Sequence, residues 1–71
     1  MGEEEKKTAF RIAYDFLGKH TEPKYDVDYF MDTTDEIKEL YHQNRGNKLL
    51  PFLLMGVYEY IVAIARERAE K

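Results

Sequence analysis

Hydrophobic and polar residues alternate along this 71-residue chain with helical rather than strand periodicity. Ala9, Ile12, Ala13, Phe16, Leu17 and His20 recur at three- and four-residue spacing, while Lys7, Arg11 and Asp15 take the opposite side. This predicts an amphipathic helix from about Glu4 to Leu17 or slightly beyond, ended by Gly18 and then Pro23. Glu3 with Lys7 and Arg11 with Asp15 can pair along its outer surface. From His20 to Asp28 a connector follows, because Pro23 holds Glu22 extended. Val27, Tyr29 and Phe30 have room for a turn or an extra short helix. Thr33-Thr34-Asp35-Glu36 has capping-box spacing, which starts the second main helix at Thr34, with Ile37, Leu40, Tyr41 and Asn44 facing inward. Gly46 suits a left-handed position after that helix.

The strongest pattern runs from Leu49 to Ala65, seventeen residues in which Glu59 is the single charge. Asn47 is a natural N-cap and Pro51 fits the first turn, where no intrahelical amide is lost, so a third helix extends from there to about Ala69. Leu50, Leu53, Leu54, Val57, Ile61, Ile64 and Ala65 form one face that the other helices can cover. Phe52, Met55, Glu59 and Val62 form a second, the candidate oligomer interface, because a helix apolar on nearly every side has to be covered by something. Arg66 with Glu70 and Glu67 with Lys71 make a solvated tail. The short link between the second and third helices implies antiparallel neighbours. The expected architecture is therefore one all-α domain, a small three-helix bundle dimerising through its C-terminal helix.

Size supports that expectation. A single core this small buries only about 60% of the unfolded chain's surface, and without cysteine neither a disulfide nor a thiolate zinc site can staple it. Oligomerisation or dense helix packing is left. Lack of cysteine suits a reducing compartment, and the Met1–Lys7 segment reads as neither secretory signal nor transit peptide, so a cytoplasmic location is expected. Gly2 is no myristoylation site, since Lys6 stands where that motif needs Ser or Thr.

The net charge of −3 argues against nucleic acid as a partner. Its distribution is uneven: residues 25 to 44 hold six acids against Lys38 alone. Tyr25, Asp26, Asp28, Tyr29, Asp32, Asp35, Glu36 and Glu39, with Phe30 among them, form an acidic aromatic strip. Acids at a helix entrance serve capping and the helix dipole. The same strip can also dock a basic protein partner, with aromatic anchors and acids that steer the encounter.

Other chemistry is poorly supported. There is no Ser or Cys, no glycine-rich phosphate loop, and no constellation around His20 or His42, so the expectation is a protein without catalytic residues, cofactor or metal. Glu39-Leu40-Tyr41-His42 has the Glu-x-x-His spacing of dimetal bundles. In an antiparallel pair, however, Glu59 lies roughly 15 Å from His42 along the helix axis, so only a dimer could assemble Glu39, His42 and Glu59 into a metal or catalytic centre. Asp26, Asp28, Asp32 and Asp35 fit no calcium-loop register, because Met31 or Thr33 falls where the turn glycine belongs. A DNA-associated regulator would need a basic third helix, whereas this one is the most apolar element. A membrane anchor is opposed by Glu59 near its middle, with Pro51 and Gly56 on the same segment.

Ala13-Tyr14-Asp15-Phe16-Leu17, Asn47-Lys48-Leu49-Leu50 and Val57-Tyr58-Glu59-Tyr60 resemble segments of short proteins encoded by bacteriophages and prophages of Gram-positive bacteria. The resemblance implies a small accessory or interaction protein of a mobile element, such as an inhibitor of a host protein. It assigns no activity and no site.

Overall fold

A computed structural model describes residues 2–70, and these residues form three helices and no strand: α1 (Glu3–Gly18), α2 (Val27–Gln43) and α3 (Leu50–Glu70). The all-α reading stands. The chain is elongated, 43 × 18 × 16 Å. No helix among the described residues is long and apolar enough to cross a membrane.

Helix α3 is the spine, and α1 and α2 both pack against it. Leu50, Leu54, Ile61 and Ala65 of α3 are buried, as the covered face requires; the first three meet Ala9, Ala13 and Phe16 of α1 and Ile37 of α2, and Ala65 lies beside the Pro23–Tyr25 connector. Small Ala9 and Ala13 let the α1 backbone approach α3 closely, while Phe16 fills the centre of the core. Tyr41 donates its phenol hydrogen to the Pro51 carbonyl at 3.4 Å, and Phe30 meets Tyr58 edge-on at 6.5 Å. The near end of α2 thus lies beside the start of α3 and its far end beside the middle, which is the antiparallel arrangement expected from the short link.

Helices α1 and α3 run parallel. Asn47 is mostly buried and works in both directions. Its side-chain oxygen accepts from the Leu49 and Leu50 amides at 3.2 Å each, opening α3, and its Nδ2 donates to the Glu5 carbonyl at 2.9 Å. The last contact pins the first turn of α1 to the entrance of α3, 42 residues later in the chain. Pro51 sits in the first turn of α3 as expected.

The start of the second helix differs from the capping-box expectation. Helix α2 begins at Val27, capped by Asp26, whose carboxylate accepts from the Asp28 amide at 3.3 Å. The proposed extra short helix is simply its first turns. Thr33 lies inside the helix and is buried, with its hydroxyl donating to the Tyr29 carbonyl at 2.8 Å; Thr34 bonds the carbonyls of Phe30 and Met31 in the same manner. A threonine hydroxyl can bond a carbonyl one turn back instead of capping, and here the partial burial of Tyr29 and Phe30 extends the helix past it. The turn after α2 also departs from expectation. No described residue has positive φ, so Gly46 is not left-handed; instead the Asn44 side chain covers the Leu40 carbonyl at 2.9 Å, and the Asn47 amide bonds the Asn44 carbonyl at 3.0 Å.

On the surface, Arg66 pairs with Glu70 at 3.4 Å, and Glu3 reaches Lys6 at 4.0 Å rather than Lys7. The Glu67 pairing with Lys71 lies outside the described residues.

Candidate functional site

The acidic strip divides once α2 is a single helix. Asp28, Asp32, Asp35 and Glu39 follow at steps of four, three and four, so they share one outward stripe, and all four are exposed. Tyr25, Val27 and Met31 are also exposed, with Val27 at 71%, and lie beside or just before that stripe. Glu39 accepts a bond from Gln43 at 3.2 Å and otherwise faces water. Tyr29 and Glu36 belong to the other side. They fall on the inner line with Thr33 and Ile37, and both face His20 rather than solvent.

His20 follows α1 and is the inner-stripe residue that closes the gap to α2. Its ring packs edge-on against Phe16 at 4.8 Å, and its Nδ1 bonds the Tyr29 phenol. Nε2 lies 3.5 Å from a Glu36 oxygen without hydrogen-bond geometry, and Lys19 reaches the other Glu36 oxygen at 3.6 Å. Burial, and secondly the charge of Glu36, raise the Tyr29 phenol above its ordinary pKa; burial alone does the same for Tyr41. The cluster fastens α1 to α2, with Tyr29 and Glu36 both drawn inward to it. Sequence periodicity marked His20 as inward-facing, but its partners depend on where α2 begins.

Two of the four candidate interface residues of α3, Phe52 and Met55, are well exposed, at 77% and 51%; Glu59 is exposed too, its carboxylate in water, and Val62 is half-buried. The open arc of α3 extends further toward α1 than the sequence reading placed it. An apolar groove of about 350 Å³ lies along the seam, lined by Leu17, Phe52, Leu53, Gly56, Val57 and Tyr60. It continues through Leu17 and Tyr60 into a second cleft of about 350 Å³ that reaches Tyr14, His20 and Pro23. Tyr14, Phe52 and Tyr60 line these hollows and are each more than half exposed, as is Phe10 one turn before Tyr14. Phe10, Tyr14 and Leu17 stand four and then three apart, a second apolar stripe on α1 that periodicity could have shown beside the Ala9, Ala13 and Phe16 stripe.

For catalysis or metal binding the arrangement offers little. Among the described residues no three His, Asp or Glu side chains gather closely enough to hold a metal ion. His42 is exposed and contacts Arg45 at 3.2 Å, while Glu39 bonds Gln43, so a centre built from Glu39, His42 and Glu59 would have to form between chains. The free face of α3 presents Phe52, Met55 and Tyr60, which suit apolar contact rather than a phosphate backbone.

No family profile, curated protein or solved structure matches the chain.

Proposed function

We propose that this protein is a small homodimeric accessory or regulatory module that acts by binding another protein, using the acidic outer face of α2 to engage a basic partner. One observation carries the reading. Only Asp26 makes a capping bond, yet Asp32, Asp35 and Glu39 continue the acidic stripe well past the first turn, with Val27 and Met31 exposed alongside. Helix-dipole stabilisation fades within the first turn. Like charges four apart instead cost about 0.2–0.5 kcal/mol per pair, which a basic partner would offset. Apolar anchors within a ring of one charge sign are suited to partner recognition, the charges setting encounter rate and the anchors holding the complex. The resemblance to short phage-encoded proteins adds an accessory role in a mobile element.

The test is capture from a lysate of the source cells with immobilised protein. Replacing Asp28, Asp32 and Asp35 together with Lys should abolish capture of the basic partner while circular dichroism remains that of the folded helix bundle, because all three side chains lie in water. Undiminished capture by the folded triple variant would show that the stripe is only solvated surface.

A further inference from the structure

The space beside Gly56 is open. The residue stands in the interior of α3, where glycine is the poorest helix former after proline, and nothing lies within 4 Å of the place its Cβ would occupy. Its neighbours one turn away on either side, Phe52 and Tyr60, are large and exposed. A helix that keeps a gap between two exposed aromatic rings is shaped to receive something from outside.

The residues along that line indicate what fits. Phe52, Gly56, Tyr60, Ala63 and Glu67 follow along α3 at steps of four, four, three and four, Lys48 precedes the helix by two residues, and all six are exposed. Turned end for end, the strip complements itself. Lys48 meets Glu67, Phe52 meets Ala63, and Tyr60 meets Gly56, so each large side chain opposes a small one and the two ends pair opposite charges. We infer that a second copy of this chain docks here with its α3 antiparallel to the first, in an isologous contact centred between Gly56 and Tyr60. This rests on the homodimer reading above and specifies its contact.

Helix α1 widens the surface. Leu17 lines the groove beside Phe52 and Gly56, Tyr14 shares the adjoining cleft with Tyr60, and Phe10 stands one turn before Tyr14 on α1. Phe10, Tyr14, Phe52 and Tyr60 are 59%, 77%, 77% and 56% exposed. At the usual area of such side chains they offer roughly 500 Å² per copy, and the rest of the strip raises this toward the ~800 Å² per partner of a standard interface. Glu59 lies on the flank of the strip, where its carboxylate stays in water.

Light scattering over a dilution series, on the whole chain and four variants, tests the contact. Gly56→Leu should raise the thermal midpoint of the monomer, since the site is open and Leu favours helix, yet weaken the dimer about tenfold or more by filling the gap for Tyr60. Lys48→Glu and Glu67→Lys should each weaken it roughly two- to fivefold, and the double exchange should restore it. Lys48 stands just before α3 and Glu67 in its last turn, so rescue cannot arise within one chain. A dimer indifferent to Gly56→Leu, or charge variants without rescue, would overturn this contact and leave dimerisation itself standing. A wild-type chain that is monomeric throughout would overturn both.

Discussion

His20 holds two helices together with one ring. Its Nδ1 bonds the Tyr29 phenol, its Nε2 faces Glu36, and its edge rests on Phe16, so the junction between α1 and α2 depends on polar groups that are largely out of water. Tyr29→Phe should therefore cost about 1–2 kcal/mol, mainly because Nδ1 loses its partner. The same residue links stability to alkaline pH. A phenol whose folded pKa is raised binds its proton more tightly than in the unfolded chain, so its contribution is complete below the ordinary value near 10 and is lost as pH rises through the raised one. Urea unfolding at about pH 8 and about pH 11 should show a steeper alkaline loss for the wild type than for Tyr29→Phe, with Tyr41 accounting for the slope that remains. Equal slopes in the two proteins would deny Tyr29 this role.

At the scale of elements, the helix entrances make the sharpest contrast with what the sequence suggests. Asp26→Ala should remove a cap and cost about 1 kcal/mol. Asn47→Ala should cost more, about 2 kcal/mol, because it removes both the α3 cap and the tie to the Glu5 carbonyl. Thr33→Val, by contrast, should change stability by under about 1 kcal/mol, since its hydroxyl bonds a carbonyl already within the α2 ladder. Thermal unfolding of the three variants checks the order, and a large loss from Thr33→Val with none from Asp26→Ala would contradict the α2 boundary. The span of α1 and the start of α3 were legible because apolar spacing, Gly18, Asn47 and Pro51 all agree there. The start of α2 was not. The capping box at Thr33 pointed seven residues past the true cap, Asp26, and packing of Tyr29 and Phe30 against His20 and Tyr58 sets the earlier start. The same decision turned Tyr29 and Glu36 inward while leaving Asp28, Asp32, Asp35 and Glu39 outward, so half of the acidic strip could be read from composition and its true edge could not.

Across the whole molecule, α3 is an apolar helix covered on only part of its circumference. Helices α1 and α2 bury Leu50, Leu54 and Ile61, leaving an arc from Met55 through Phe52 and Gly56 to Tyr60 open beside a groove that α1 helps to form. The need for a cover was legible from the near absence of charge between Leu49 and Ala65; the direction of the open arc was not, because it depends on which side of α3 receives α1. Exposed aromatic area on this scale is unusual for a chain that works alone. Molar mass measured by light scattering during dilution through the micromolar range tests whether a second copy covers this arc. It should stay near twice the 8.5 kDa of one chain, whereas a mass of 8.5 kDa at every concentration would contradict it.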